Sequence, residues 1–108
     1  MANLEASTFQ KRPCYRYIRE SDKLSSIDAS REGMDPIAKV KLFDPTGSWT
    51  WFIAGYDPET RRAYGRVLGF EDECGDFDMS ELIDIRADFG LPIERDLYWE
   101  PRPLSECI

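Results

Sequence analysis

The chain has 108 residues, 42% apolar and 32% charged with a formal net charge of −7, proportions that suit one globular domain with a modest core. No apolar run approaches a membrane span and the N-terminus has no apolar h-region, so a cytoplasmic protein that does not enter the membrane is expected. Histidine is absent, which removes the commonest general base, a common zinc ligand and every Ser-His or Cys-His arrangement.

Residues 1–35 are polar, mixed in charge and weakly periodic, and are expected as a partly helical or looped segment ahead of a compact domain over 36–108. Within them "SDKLSSIDASRE" suits a short helix capped by Ser21 or Asp22, with Leu24 and Ile27 turned inward. In "PIAKVKLFDP" the apolar Ala38, Val40 and Leu42 alternate with Lys39 and Lys41, the period of a half-buried strand. Asp44-Pro45-Thr46-Gly47 is turn chemistry. "SWTWFIAGY" is apolar on both faces, with Trp49, Trp51 and Ile53 on one and Phe52, Ala54 and Tyr56 on the other. Such a strand sits centrally in its sheet. After a turn at "DPETR", "AYGRVLGF" reads as a third strand whose Gly65 and Gly69 suggest a bulge or a close backbone approach.

After the acidic "EDECGD", Phe77 reads as the end of a short strand. Asp78 then suits an N-cap with Glu81 as its capping-box partner, and Met79, Leu82, Ile85 and Phe89 form an inward stripe on a helix over about 79–88. Gly90 and Pro92 end it. "IERDLYWE" is a last strand and "PRPLSE" a proline-broken tail. The expected class is α+β: an antiparallel sheet of about four strands with one or two short helices.

"DPIAKVKLFDPTGSWTWF", "YDPETRRAYGRVLGFEDECGDFDMSEL" and "GLPIERDLYWEPRPLSE" resemble a family of small domains of unknown function found on bacterial plasmids, integrative elements and phages. The likeness covers roughly residues 22 to 106 and implies a mobile genetic element in bacterial cytoplasm as the setting. Family members often carry Pro-Pro-Leu-Tyr where this chain has Ser25-Ser26-Ile27-Asp28.

Charge is unevenly spread. Residues 1–70 hold 11 basic and 9 acidic side chains, whereas 71–108 hold 3 and 12. Glu71, Asp72, Glu73, Asp76, Asp78, Glu81, Asp84 and Asp88 face only Arg86 within their own stretch. On a helix from Met79, Glu81, Asp84 and Asp88 fall within about 60° of one another, and Glu71, Asp72, Glu73 and Asp76 add an acidic edge at the turn before it. Helix stability does not call for Asp84 and Asp88 near the negative C-terminal end.

The chemistry left open is narrow. Cys14, Cys74 and Cys107 show no metal spacing and read as reduced structural thiols. The EF-hand pattern fails in every register of "EDECGDFDMSE", so no metal and no cofactor is expected. Glu94-Arg95-Asp96 reads as a salt-bridged strand edge rather than a catalytic trio. Lys39, Lys41, Arg61, Arg62 and Arg66 are too few for a phosphate track on so acidic a chain, so direct nucleic-acid binding is not expected, and Trp49, Trp51 and Trp99 read as packed core. The expectation is a non-enzymatic protein-binding module. Its acidic ridge of Glu71, Asp72, Glu73, Asp76, Glu81, Asp84 and Asp88 meets a basic protein surface. In one version it is an anti-defence inhibitor that mimics nucleic acid against a nucleic-acid-binding host protein. The alternatives are an accessory structural subunit with a merely solubilising acidic face and, behind both, a carboxylate-based enzyme.

Overall fold

A computed structural model describes residues 4–5, 16–33, 35–45, 47, 49–84 and 93–107. Its centre is a five-stranded antiparallel sheet built from β4 (Val40–Phe43), β5 (Thr50–Asp57), β6 (Arg62–Leu68), β7 (Asp72–Asp78) and β8 (Glu94–Arg95). The strand order is β7-β6-β5-β4-β8. Two short antiparallel pairs flank it: β1 (Leu4–Glu5) with β2 (Arg16–Ile18), and β3 (Ile37–Ala38) with β9 (Arg102–Pro103). The helices are α1 (Ile27–Glu32) and α2 (Met79–Asp84). The class is small α+β, as the periodicity predicts.

β5 is central, and six consecutive residues of it, Trp51 to Tyr56, are buried. Its two faces pack two separate clusters. Trp51 and Ile53 join Val40, Leu42, Met79, Leu82 and Ile93 on one side, whereas Phe52 and Ala54 meet Ala38, Leu104 and Cys107 on the other. Tyr56 corrects the strict alternation read from the sequence, because it belongs with Trp51 and Ile53. The register with β6 slips between Ile53 and Gly55, and the extra residue inverts the side chains beyond it. Gly65 lies opposite the slip, where a Cβ would run into the Phe52 carbonyl, which is the close approach that its place in the sequence suggests.

Part of the chain before residue 35 packs into this core. Tyr17 and Ile18 are fully buried, and the Tyr17 hydroxyl donates to the Ile93 carbonyl over 2.6 Å. The alternation "CYRYI" was the available signal for a strand there. The helix expected over "SDKLSSIDASRE" is shorter and starts later. Ser26 caps it by accepting from the Ala29 amide, and Asp22 lies in a separate 3-10 turn over Glu20–Asp22. Ser25 accepts from the Tyr56 amide, closing the edge of β5 beyond the end of β4.

Two further expectations are corrected. "IERDLYWE" contributes only Glu94 and Arg95 to the sheet, because Asp96 then turns the chain by accepting from the Tyr98 and Trp99 amides. The "PRPLSE" tail is part of the packed unit. Leu104 and Cys107 plug the second face, and the Trp99 indole donates to the Ala38 carbonyl at 3.0 Å. Cys107 is buried, and burial pushes its thiol above the ordinary value, whereas Cys74 is exposed and Cys14 lies outside the described residues.

Candidate functional site

The acidic stretch is a strand. The sequence suggests a short strand ending at Phe77 after "EDECGD"; the strand is longer, for Asp72 to Asp78 pair residue by residue with Leu68 to Arg62 and form an edge of the sheet among the described residues. Aspartate and glutamate are poor strand formers in isolation, but an edge leaves their side chains in water and the ladder with β6 supplies the backbone bonds. The turn between the two strands is Gly69-Phe70-Glu71, closed by the Gly69 amide donating to the Glu71 carbonyl.

The strand's period of two divides the acids between opposite faces. Asp72 and Asp76 point toward the α1 side and find arginines there. Asp72 accepts from Arg66 Nε and Nη2 at 2.8 and 2.6 Å, and these bonds hold its carboxyl below the ordinary value. Asp76 is paired with Arg31, whose guanidinium it raises and which also stands over the Tyr64 ring. Both acids therefore have an arginine partner within the molecule, in ion pairs that remain open to water.

Glu71 and Glu73 have no such relief. A hydrogen bond between their two carboxyl groups, reinforced by like charge, pushes Glu73 above the ordinary glutamate value. Glu73, Gly75 and Phe77 share the face that carries Trp51 and Val67. Phe70 stands beside them at the hairpin tip, 94% exposed. Its ring meets Trp49 edge-on with centroids 5.3 Å apart, and Trp49 in turn stacks on Trp51 at 6.0 Å. Gly69 permits this, because a Cβ there would run into the Trp49 ring.

Below the aromatics lies a groove of about 400 Å³ whose apolar floor includes Trp49, Trp51, Val67, Phe77 and Leu82. Asp44 and Glu81 stand on its rim. Glu81 is exposed on α2, and Asp78 caps that helix by accepting from the Ser80 amide at 2.8 Å. Of the expected helical ridge, Asp84 ends the described part of α2, nothing of its side chain is described, and Asp88 lies outside the described residues. The structure thus brings Glu71 and Glu73 together, places Glu81 on the groove, and turns Asp72 and Asp76 to the other face. Sequence reasoning missed Phe70, although an aromatic residue in a three-residue hairpin turn is a signal in its own right.

The expected basic group is used internally in part. Lys39 donates to the Lys23 carbonyl at 2.7 Å, and Lys41 lies between the Phe52 and Trp99 rings near Asp96. Arg66 holds the C-terminal tail as well as Asp72, with Nη1 donating to the carbonyls of Leu104 and Cys107 at 2.8 Å each. Arg95 of the Glu94-Arg95-Asp96 trio is buried and bidentate to Asp22 at 2.7 Å on both arms.

A second cleft of about 510 Å³, between α1 and the β5–β6 turn, is polar and mixed in charge, with Asp28, Asp57 and Asp76 beside Arg31 and Arg62. Burial raises the Tyr56 phenol on its wall above the ordinary value. Among the described residues no three acids or cysteines stand close enough to hold a metal ion. No described helix is long and apolar enough to cross a membrane.

The family model described as a protein of unknown function (DUF2958) matches residues 16–108. No curated protein and no solved structure matches the chain.

Proposed function

The chain belongs to the DUF2958 family, whose description assigns no activity, and we propose from its geometry that it is a non-catalytic protein-binding module. Its contact face is the β6–β7 hairpin tip with the groove beneath it. The observation that carries this reading is Phe70, 94% exposed at the hairpin tip against Trp49, which in turn stacks on Trp51, with Glu71 next in the chain and Glu73 close by on β7. An exposed aromatic loses apolar hydration when it is covered, and aromatic anchors dominate the energetics of protein interfaces. Glu71 holds the Glu73 carboxyl above its ordinary value, so a lysine or arginine from a partner meets two neighbouring acids at this point. The partner surface that fits is apolar at its centre and basic at its rim.

A role as a mobile-element inhibitor that imitates nucleic acid is the narrower version of this reading. Its support is the excess of acid over 71–88 and the likeness to domains of plasmids and phages. The inward pairing of Asp72 and Asp76 concentrates the effective charge at Glu71, Glu73 and Glu81, so the contact relies on aromatic burial as much as on charge.

The test is affinity capture from a bacterial lysate at low salt, comparing the wild type with a Phe70→Ala, Glu71→Lys, Glu73→Lys variant of unchanged melting temperature. The reading expects a small set of partners that the variant fails to retain and that duplex DNA competes away if the mimicry version holds. An identical captured set from both proteins removes the hairpin tip from function.

A further inference from the structure

The outer edge of β7 has no strand against it among the described residues, and its shape is unusual for an edge. Seven residues run unbroken from Asp72 to Asp78, with no proline and no bulge in the register with β6. Edge strands are commonly protected by shortness, bulges or proline. Among the described residues the protection that β7 carries is charge. In the middle stands Gly75, where an added Cβ would have nothing within 4 Å. On the groove side, then, the strand presents Glu73, a bare stretch of backbone at Gly75, and Phe77, whose ring forms part of the groove floor.

We infer that β7 receives an extended segment of a partner protein as a sixth strand, one whose groove-facing side alternates lysine or arginine with a large apolar residue. This rests on the hairpin tip being the docking face. The backbone of the added segment pairs with the free amides and carbonyls of β7, the general mode of strand addition. Its large apolar side chain lies across Gly75 toward Val67 and Phe77, filling space that this strand leaves open. Its cation stands at Glu73 and separates that carboxyl from Glu71. On the opposite side Asp72 and Asp76 already have Arg66 and Arg31, so neutral residues suffice there.

Charge also decides against the nearest alternative, a second copy of this chain. Two β7 strands docked antiparallel about Gly75 would set Asp72 against Asp78 at both ends of the ladder, which is unfavourable for directly opposed like charges, and would bring no cation to Glu73. The same acids that exclude a second copy select a basic segment.

The probe is a synthetic peptide, acetyl-TKTFTKT-amide, whose pattern reads the same in either direction, added to the full chain at low salt. Amide hydrogen exchange followed residue by residue should show outward-facing β7 amides slowed roughly tenfold or more on saturation. The charge-reversed TETFTET should give no protection. Gly75→Val places its Cβ in open space, so its melting temperature stays equal or rises while TKTFTKT falls to the affinity of TKTATKT. Glu71→Lys with Glu73→Lys should abolish protection in a protein that melts normally. Equal binding of TKTFTKT and TETFTET, or no binding to the folded wild type at millimolar peptide, overturns the inference. Binding of TKTFTKT without protection of β7 also overturns it, yet leaves the hairpin tip intact as a docking face if Phe70→Ala still weakens the contact.

Discussion

At one edge of the sheet, β8 offers β4 only Glu94 and Arg95; at the other, β7 runs seven residues along β6 with its outer side unpaired among the described residues. The short edge is held by a buried ion pair. Arg95 is clamped by both oxygens of Asp22 and donates to the Tyr17 carbonyl, so β2, the 3-10 turn and β8 are tied at one point. The long edge is held by its ladder, and its charges lie in water. Carboxylates therefore do opposite work at the two edges. Asp22 joins distant segments from inside, whereas Glu71 holds the exposed Glu73 carboxyl above its ordinary value. The contrast separates an edge closed by a buried ion pair from an edge along which Asp72, Glu73 and Asp76 are exposed.

The largest expected effect lies at the short edge. Asp22→Ala leaves the Arg95 guanidinium buried without its carboxylate and should cost about 3–5 kcal/mol in urea unfolding. Burial pushes the Asp22 carboxyl up, but hydrogen bonds from Arg95 and the Arg19 amide outweigh it and leave the pKa below the ordinary 3.8. A folded-state value below the unfolded one means stability that is present above the unfolded pKa and lost as pH falls through the folded one. The difference between wild type and Asp22→Ala should accordingly shrink in acid, and an unchanged difference below the folded pKa would show that Asp22 acts through packing instead.

An intermediate effect is expected from Arg66, which belongs to the long edge on one side and to the tail on the other. Arg66→Met removes donors from the Leu104 and Cys107 carbonyls and should cost about 1–3 kcal/mol. The tail should then open, read as faster alkylation of Cys107, whose thiol is otherwise buried, than in the wild type. A Cys107 that stays protected would assign the tail to Leu104 and Trp99 alone.

The smallest effect has the opposite sign. Glu73→Gln removes a carboxylate that the neighbouring Glu71 pushes above its ordinary value. A raised folded pKa means stability present below the unfolded glutamate value and lost as pH rises through the folded one. The substitution should thus raise the melting temperature slightly at neutral pH and leave it unchanged in acid. A loss of stability at neutral pH would show that Glu73 has a stabilising contact after all.

The strands over 40–43, 50–57 and 62–68 were legible because alternation and a doubly apolar run have few other physical solutions. Trp49, Trp51 and Trp99 were legible as packed aromatics for the same reason: Trp51 is buried, and Trp49 and Trp99 pack against the clusters. The acids were legible in number and not in placement. Composition announces carboxylates but carries no information on which of them meets an arginine from 45 residues away, as Asp76 meets Arg31. Tyr56 was misplaced because one bulge residue, invisible in a period of two, swaps the faces of the side chains after it.

By itself, then, the sequence determined the fold class, the central strand, the want of histidine chemistry and the acidic character of 71–88, since each arises from residue type and local period. Tertiary structure alone decided that the acidic stretch is an edge strand, that Asp72 and Asp76 are neutralised while Glu71 and Glu73 are not, and that Phe70 is exposed on Trp49. It also decided that Tyr17 closes the core from a segment that reads as polar. The reason is common to all of these: burial and charge pairing are set by neighbours distant in the chain, and local pattern does not encode which neighbours arrive.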